Sequence, residues 1–93
     1  MAAGNPSIEE STFGLTTKSI AVNIAAADHD LTLTFPNGAR RLYVGTGGTV
    51  VATKAGDAGA MTYLNVPSGS YLDGQWITVV KVGTTAAAMI AEH

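Results

Sequence analysis

The chain has 93 residues, of which 46% are hydrophobic and only 13% charged, with 5 Lys+Arg against 7 Asp+Glu for a formal charge of -2. That length supports one domain built on one modest core. The lack of cysteine excludes disulfides, thiolate metal sites and cysteine nucleophiles, and the missing basic footprint speaks against nucleic acid as a partner.

Residues 1–17 show no sustained period. They mix Gly, Pro, Ser and acids with isolated Ile8, Phe13 and Leu15, and are expected to form an extended N-terminal arm. Met1 to Glu10 has neither the basic region nor the apolar core of a secretory signal, and no apolar run approaches the roughly 18 residues of a membrane span. No membrane partner is expected.

Residues 18–93 read as a single antiparallel β domain. In KSIAVNIA (18–25), Ile20, Val22 and Ile24 alternate with Ala21 and Asn23, which predicts a strand. Asp28-His29-Asp30 is a polar break. LTLTF (31–35) has the cleanest alternation in the chain, with Leu31, Leu33 and Phe35 on one face, and predicts a second strand. Pro36-Asn37-Gly38 is a turn, because Asn and Gly tolerate positive φ.

RRLYV predicts a third strand, ended by Gly45-Thr46-Gly47-Gly48, and TVVAT a fourth. KAGDAG (54–59) is a loop, and MTYLNV a fifth strand closed by Pro67-Ser68-Gly69. SYL predicts a short edge strand that stops at Asp73-Gly74. QWITVVKV is long, rich in β-branched residues and suited to the middle of a sheet. After Gly83-Thr84-Thr85, AAAMIAEH returns as the last strand. The Ala86–Ala88 run has helix propensity, but the sequence ends too soon after it for more than a short helix. Turn signals recur at the spacing of an all-β domain. The expected fold is an antiparallel β-sandwich or barrel of about 7–8 short strands.

The candidate chemistry is sparse. A carboxylate beside His29 could orient a base or hold a cation, but in an extended strand Asp28 and Asp30 face away from His29, which favours a polar loop. Gly45-Thr46-Gly47-Gly48 leads into a strand and not a helix, which favours a glycine-rich turn over a phosphate loop. Glu9-Glu10 reads as a solvated pair, and Ser68 and Ser70 lack a nucleophile elbow. Alternation puts Arg40 and Arg41 on opposite faces, where one can meet an acid at a subunit contact. Trp76, with Tyr43, Tyr63 and Tyr71, reads either as a packing anchor or as a sugar-stacking platform. No catalytic, cofactor or metal-ligand set is expected, and no enzyme activity.

Three segments carry a resemblance. RRLYVGTGGTVVAT (40–53), MTYLNVPSGSYL (61–72) and ITVVKVGTTAAAMIA (77–91) occur in this order and spacing. Together they resemble the head spike base family of tailed phages and gene transfer agents. That family carries an Arg-x-Leu-Tyr-Val-Gly-Thr-Gly-Gly segment, a Val-Pro-x-Gly turn and a closing Gly-Thr-Thr hairpin. This chain departs from it at Ser70-Tyr71-Leu72-Asp73 and at Glu92-His93.

The resemblance implies a virion structural protein, a head spike base or capsid decoration subunit on the outer surface of the capsid. Its implied partners are the major capsid protein, a fibre or spike protein, and further copies of itself in a symmetric homo-oligomer. The charge-poor composition agrees with a chain that packs against neighbours. Phe13, Leu15, Arg40, Tyr43 and Tyr71 are the residues expected to touch partners. The alternative is a small carbohydrate-binding β module.

Overall fold

A computed structural model describes residues 18–93 of the protein. Residues 1–17, with the expected arm and the partner residues Phe13 and Leu15, lie outside the described residues. In chain order the elements are β1 (Ser19–Ala21), β2 (His29–Asp30), a 3-10 turn (Leu31–Leu33), β3 (Ala39–Thr46), β4 (Gly48–Lys54), β5 (Met61–Val66), β6 (Ser70–Val79) and β7 (Ala87–Glu92). The fold is all-β, and every strand pairing is antiparallel.

The sheet runs β1-β7-β3-β6-β4-β5. β6 is its spine. Trp76 pairs with Ala39 of β3 on one side and Lys54 of β4 on the other. Thr78 and Val79 pair with β4 on that same side and with β2 on the opposite one. β2 and β3 therefore lie end to end along one edge of β6, and residues 31–38 leave that line and rejoin it.

Side-chain alternation builds the core. Leu42 and Val44 of β3, Val50 and Ala52 of β4, and Met89 and Ala91 of β7 all point inward and are buried. So do Trp76 and Val79 of β6, which are three apart and come to one face through the register shift opposite Thr53–Lys54. Leu31 and Phe35 cap them from the 31–38 excursion. Among the described residues no helix covers this face. Complete burial of one face without a second layer requires the sheet to curl over itself, which gives a sandwich-like body. Ile20, Val22 and Ile24 pack against the cluster from one side, as their alternation predicts.

Three local expectations change. The first strand stops after Ala21, apart from one further bond from Val22 N to Met89 O. Asn23 breaks it: its backbone N–H donates to His29 Nδ1 at 3.0 Å, and its Oδ1 accepts from Ala25 N at 3.1 Å. This is the local side-chain competition that Asn offers to a strand ladder.

LTLTF is a turn and not a strand. Asp30 Oδ1 accepts from Thr32 N at 3.0 Å and from Thr32 Oγ1 at 2.6 Å, and Leu31 O accepts from Phe35 N at 2.8 Å. Leu31 and Phe35 are spaced i,i+4 as well as by an even number, so a helical turn buries both. Leu33, which the strand reading placed beside them, is 84% exposed.

The break at Asp73-Gly74 is absent, and Ser70 through Val79 form one strand. The register moves from Arg41↔Asp73 to Ala39↔Trp76, so Gly74 and Gln75 both oppose Arg40. That is a β-bulge. It accommodates the glycine by bending the strand instead of ending it.

Asp30 also carries a pH dependence. Its hydrogen bonds from Thr32 hold the carboxyl below the usual aspartate range. A lowered folded value means that the cap stabilises the turn at neutral pH and is lost as pH falls through the acid range, below about pH 4. The expected result is a downfield-to-random-coil drift of the Thr32 amide resonance on acidification, absent in an Asp30→Ala variant. A flat titration of that amide would contradict the cap.

Candidate interaction surface

The outer face of β1, β7, β3 and β6 is ordered by register into cross-strand rows. Ala21 lies opposite Ile90, Ile90 opposite Tyr43, and Tyr43 opposite Tyr71. These four residues make one apolar and aromatic row across four strands. Tyr71 is 47% and Ile90 36% exposed. The Tyr43 and Tyr71 rings sit 5.3 Å apart at 58°.

The row beside it is polar: Ser19, Glu92, Arg41 and Asp73 oppose one another in the same strand order. Arg41 Nε donates to Glu92 Oε1 at 2.8 Å. Its guanidinium carbon also lies 4.1 Å from the centre of the Tyr71 ring. The hydrogen bond to Glu92 raises the Arg41 pKa further, so this cation is permanent. Glu92 and Arg41 thus satisfy each other beside the tyrosines, and the stacked guanidinium fixes one face of Tyr71. The pair is partly exposed, so Arg41→Ala should cost only about 1 kcal/mol in urea unfolding, less at high salt.

Tyr43 and Tyr71, both expected to touch partners, are therefore direct neighbours. Arg40 is not with them. It sits in the bulge opposite Gly74 and Gln75 and lines a shallow groove of about 320 Å³ with Asn37, Gln75 and His93. Arg41 takes the place beside the aromatics. Its spacing two residues before Tyr43 was the available signal. Ile90, Ala21 and Glu92 had none, because only the pairing of distant strands brings them into the rows.

The other candidates have structural roles. Asp28 Oδ1 accepts from Lys81 N at 2.8 Å, and His29 and Asp30 hold the backbone contacts already described. The three residues staple the loops at one end of β6. Among the described residues no group of three His, Asp or Glu could hold a metal ion.

Trp76 is 1% exposed, with its indole N–H donating to Leu72 O at 2.8 Å and Tyr63 edge-on at 5.5 Å. It offers no face to a sugar. Gly47 is the one residue between β3 and β4, which do not pair with each other, and its N–H donates to Ser68 Oγ at 2.8 Å.

No family model, no curated protein and no solved structure matches the chain.

Proposed function

We propose that the protein is a virion structural protein, a head spike base or capsid decoration subunit of a tailed phage or gene transfer agent. The observation that carries the reading is the solvent-facing row of Ala21, Ile90, Tyr43 and Tyr71 on a chain with only 13% charged residues. The segmental resemblance over residues 40–91 supplies the virion context.

The mechanism is docking. Tyrosine brings large, stiff contact area and a polar tip, which suits an interface anchor. Arg41 and Glu92 already neutralise each other, so a partner can cover them without stranding either charge, while exposed Asp73 stays at the rim of the contact. The Arg41 stack holds Tyr71 in place before the partner arrives, which lowers the ordering cost of binding. On this reading the row meets the major capsid protein or the fibre it carries, and Phe13 and Leu15 are further contacts to the capsid or a neighbouring copy. The role is mechanical and uses no cofactor.

The test is the protein inventory of purified particles. The reading expects this chain in intact particles at a fixed ratio to the major capsid protein, retained through a density gradient. Its complete absence from particles whose producing cells contain it would overturn the reading.

A further inference from the structure

The sheet ends on one side at β5, which carries a bulge at Leu64–Asn65 and is regular over Met61–Tyr63. Sheet edges are normally blunted by charges, Pro, bulges or a covering segment. Met61 to Val66 contains no charged residue and no proline, and none with a charge lies between Asp57 and Asp73. Among the described residues nothing pairs with the outer edge of β5. Leu64 is 68% and Met61 53% exposed on it. The opposite end differs: β1 spans three residues, and it follows directly on Lys18.

We propose that β5 is the self-association edge of the protein, and that its occupant is β5 of a second copy, paired antiparallel. The inference deepens the assembly reading and rests on it, naming which element joins copies and leaving the tyrosine row for the different partner.

The charge pattern selects this occupant. An uncharged strand laid against its own copy desolvates no ion and meets no like charge. A charged peptide would find no counter-charge on this edge. The lengths match by identity, and the pairing continues the antiparallel order of the sheet through a two-fold axis.

Parity fixes the register. Directly opposite residues of an antiparallel pair share a face, so outward residues must meet outward residues. Thr62 shares the outer face with Val51, and Met61 and Tyr63 the inner face with Ala52 and Val50. The axis must therefore pass through a residue and not between two. The bulge that takes in Leu64 and Asn65, with Asn65 at φ 57, ends the regular stretch. Centring on Thr62 uses all of that stretch and sets Thr62 of one copy against Thr62 of the other.

The chain has no cysteine, so cross-linking is clean. A Thr62→Cys variant should form a disulfide dimer under mild oxidation. With one cysteine per chain, the bridge can form only to a second copy. A Leu64→Lys variant should stay folded, because the side chain is exposed, and should sediment as the monomer at concentrations where the wild type associates. A Tyr43→Asp/Tyr71→Asp variant should still associate.

Failure to cross-link, or a Leu64→Lys variant that associates like the wild type, overturns the β5 edge. If the tyrosine variant alone dissolves the oligomer, the edge proposal fails and the assembly reading stands. A wild type that remains monomeric at every concentration, yet is found in particles, also removes the edge and leaves the virion role intact.

Discussion

Trp76→Ala should remove a large part of the protein's stability. Trp76 is the largest fully buried side chain and sits where β6 is paired on both sides. Its ring fills the core against the edge of Tyr63, and Lys54 Nζ lies 5.4 Å from its centroid. Truncating a buried tryptophan costs about 3–5 kcal/mol. A domain of this length has roughly 5–14 kcal/mol in total. Trp76→Phe keeps much of the volume but leaves the Leu72 carbonyl without its indole partner, so it should cost about 1–3 kcal/mol and stay folded. Urea unfolding of both variants separates the two effects. A Trp76→Ala protein with wild-type stability would mean that the core is built elsewhere.

Gly47→Ala should be nearly as damaging, although Gly47 lies in the connection between β3 and β4. A Cβ there would overlap the carbonyl oxygen of Val66, lie 2.7 Å from Ser68 N and 3.0 Å from Pro67 C. All three are backbone atoms, so no side chain can swing away. The β3–β4 connection would have to separate from the β5–β6 turn, breaking the bond from Gly47 N to Ser68 Oγ. Overpacking of this kind costs about 1–3 kcal/mol, with backbone collisions at the upper end. A loss of about 3 kcal/mol lowers the melting temperature of a domain this size by on the order of 15 °C. Gly56 and Gly59 are the controls, since a Cβ at either meets nothing within 4 Å. Gly56→Ala should change stability by no more than about 0.5 kcal/mol. Equal melting temperatures for Gly47→Ala and Gly56→Ala would remove the close approach from the account.

The strands that were legible in the sequence are those with one buried face. Leu42 and Val44, Val50 and Ala52, and Met89 and Ala91 alternate because the sheet has an inside and an outside. The misread segments follow from ambiguity in the same signal. Leu31 and Phe35 fit both a strand and a helical turn, and the Asp30 side chain decided for the turn. Asp73-Gly74 has turn composition, but a bulge absorbs it within β6.

The candidate surface was legible only in part. Tyr43 and Tyr71 could be singled out as aromatics, and Arg41 shares the face of Tyr43 by simple alternation. Glu92, 51 residues from Arg41 in sequence, becomes its partner only through the β3–β7 register. No local pattern encodes a register between distant strands. Trp76 shows the converse: its type allowed both a core and a surface role, and its place at the centre of the sheet settles it inside.

The tyrosine row is where the functional account stands or falls. Tyr43→Asp/Tyr71→Asp places two carboxylates on it without replacing a buried residue; they face each other across β3 and β6 and lower the stability somewhat, and the variant should remain folded. The decisive measurement is its incorporation into particles when it replaces the wild-type copy, counted against the major capsid protein. The account predicts folded variant left in the soluble fraction and particles stripped of it. Particles carrying the variant at the wild-type ratio would contradict the docking role of that face.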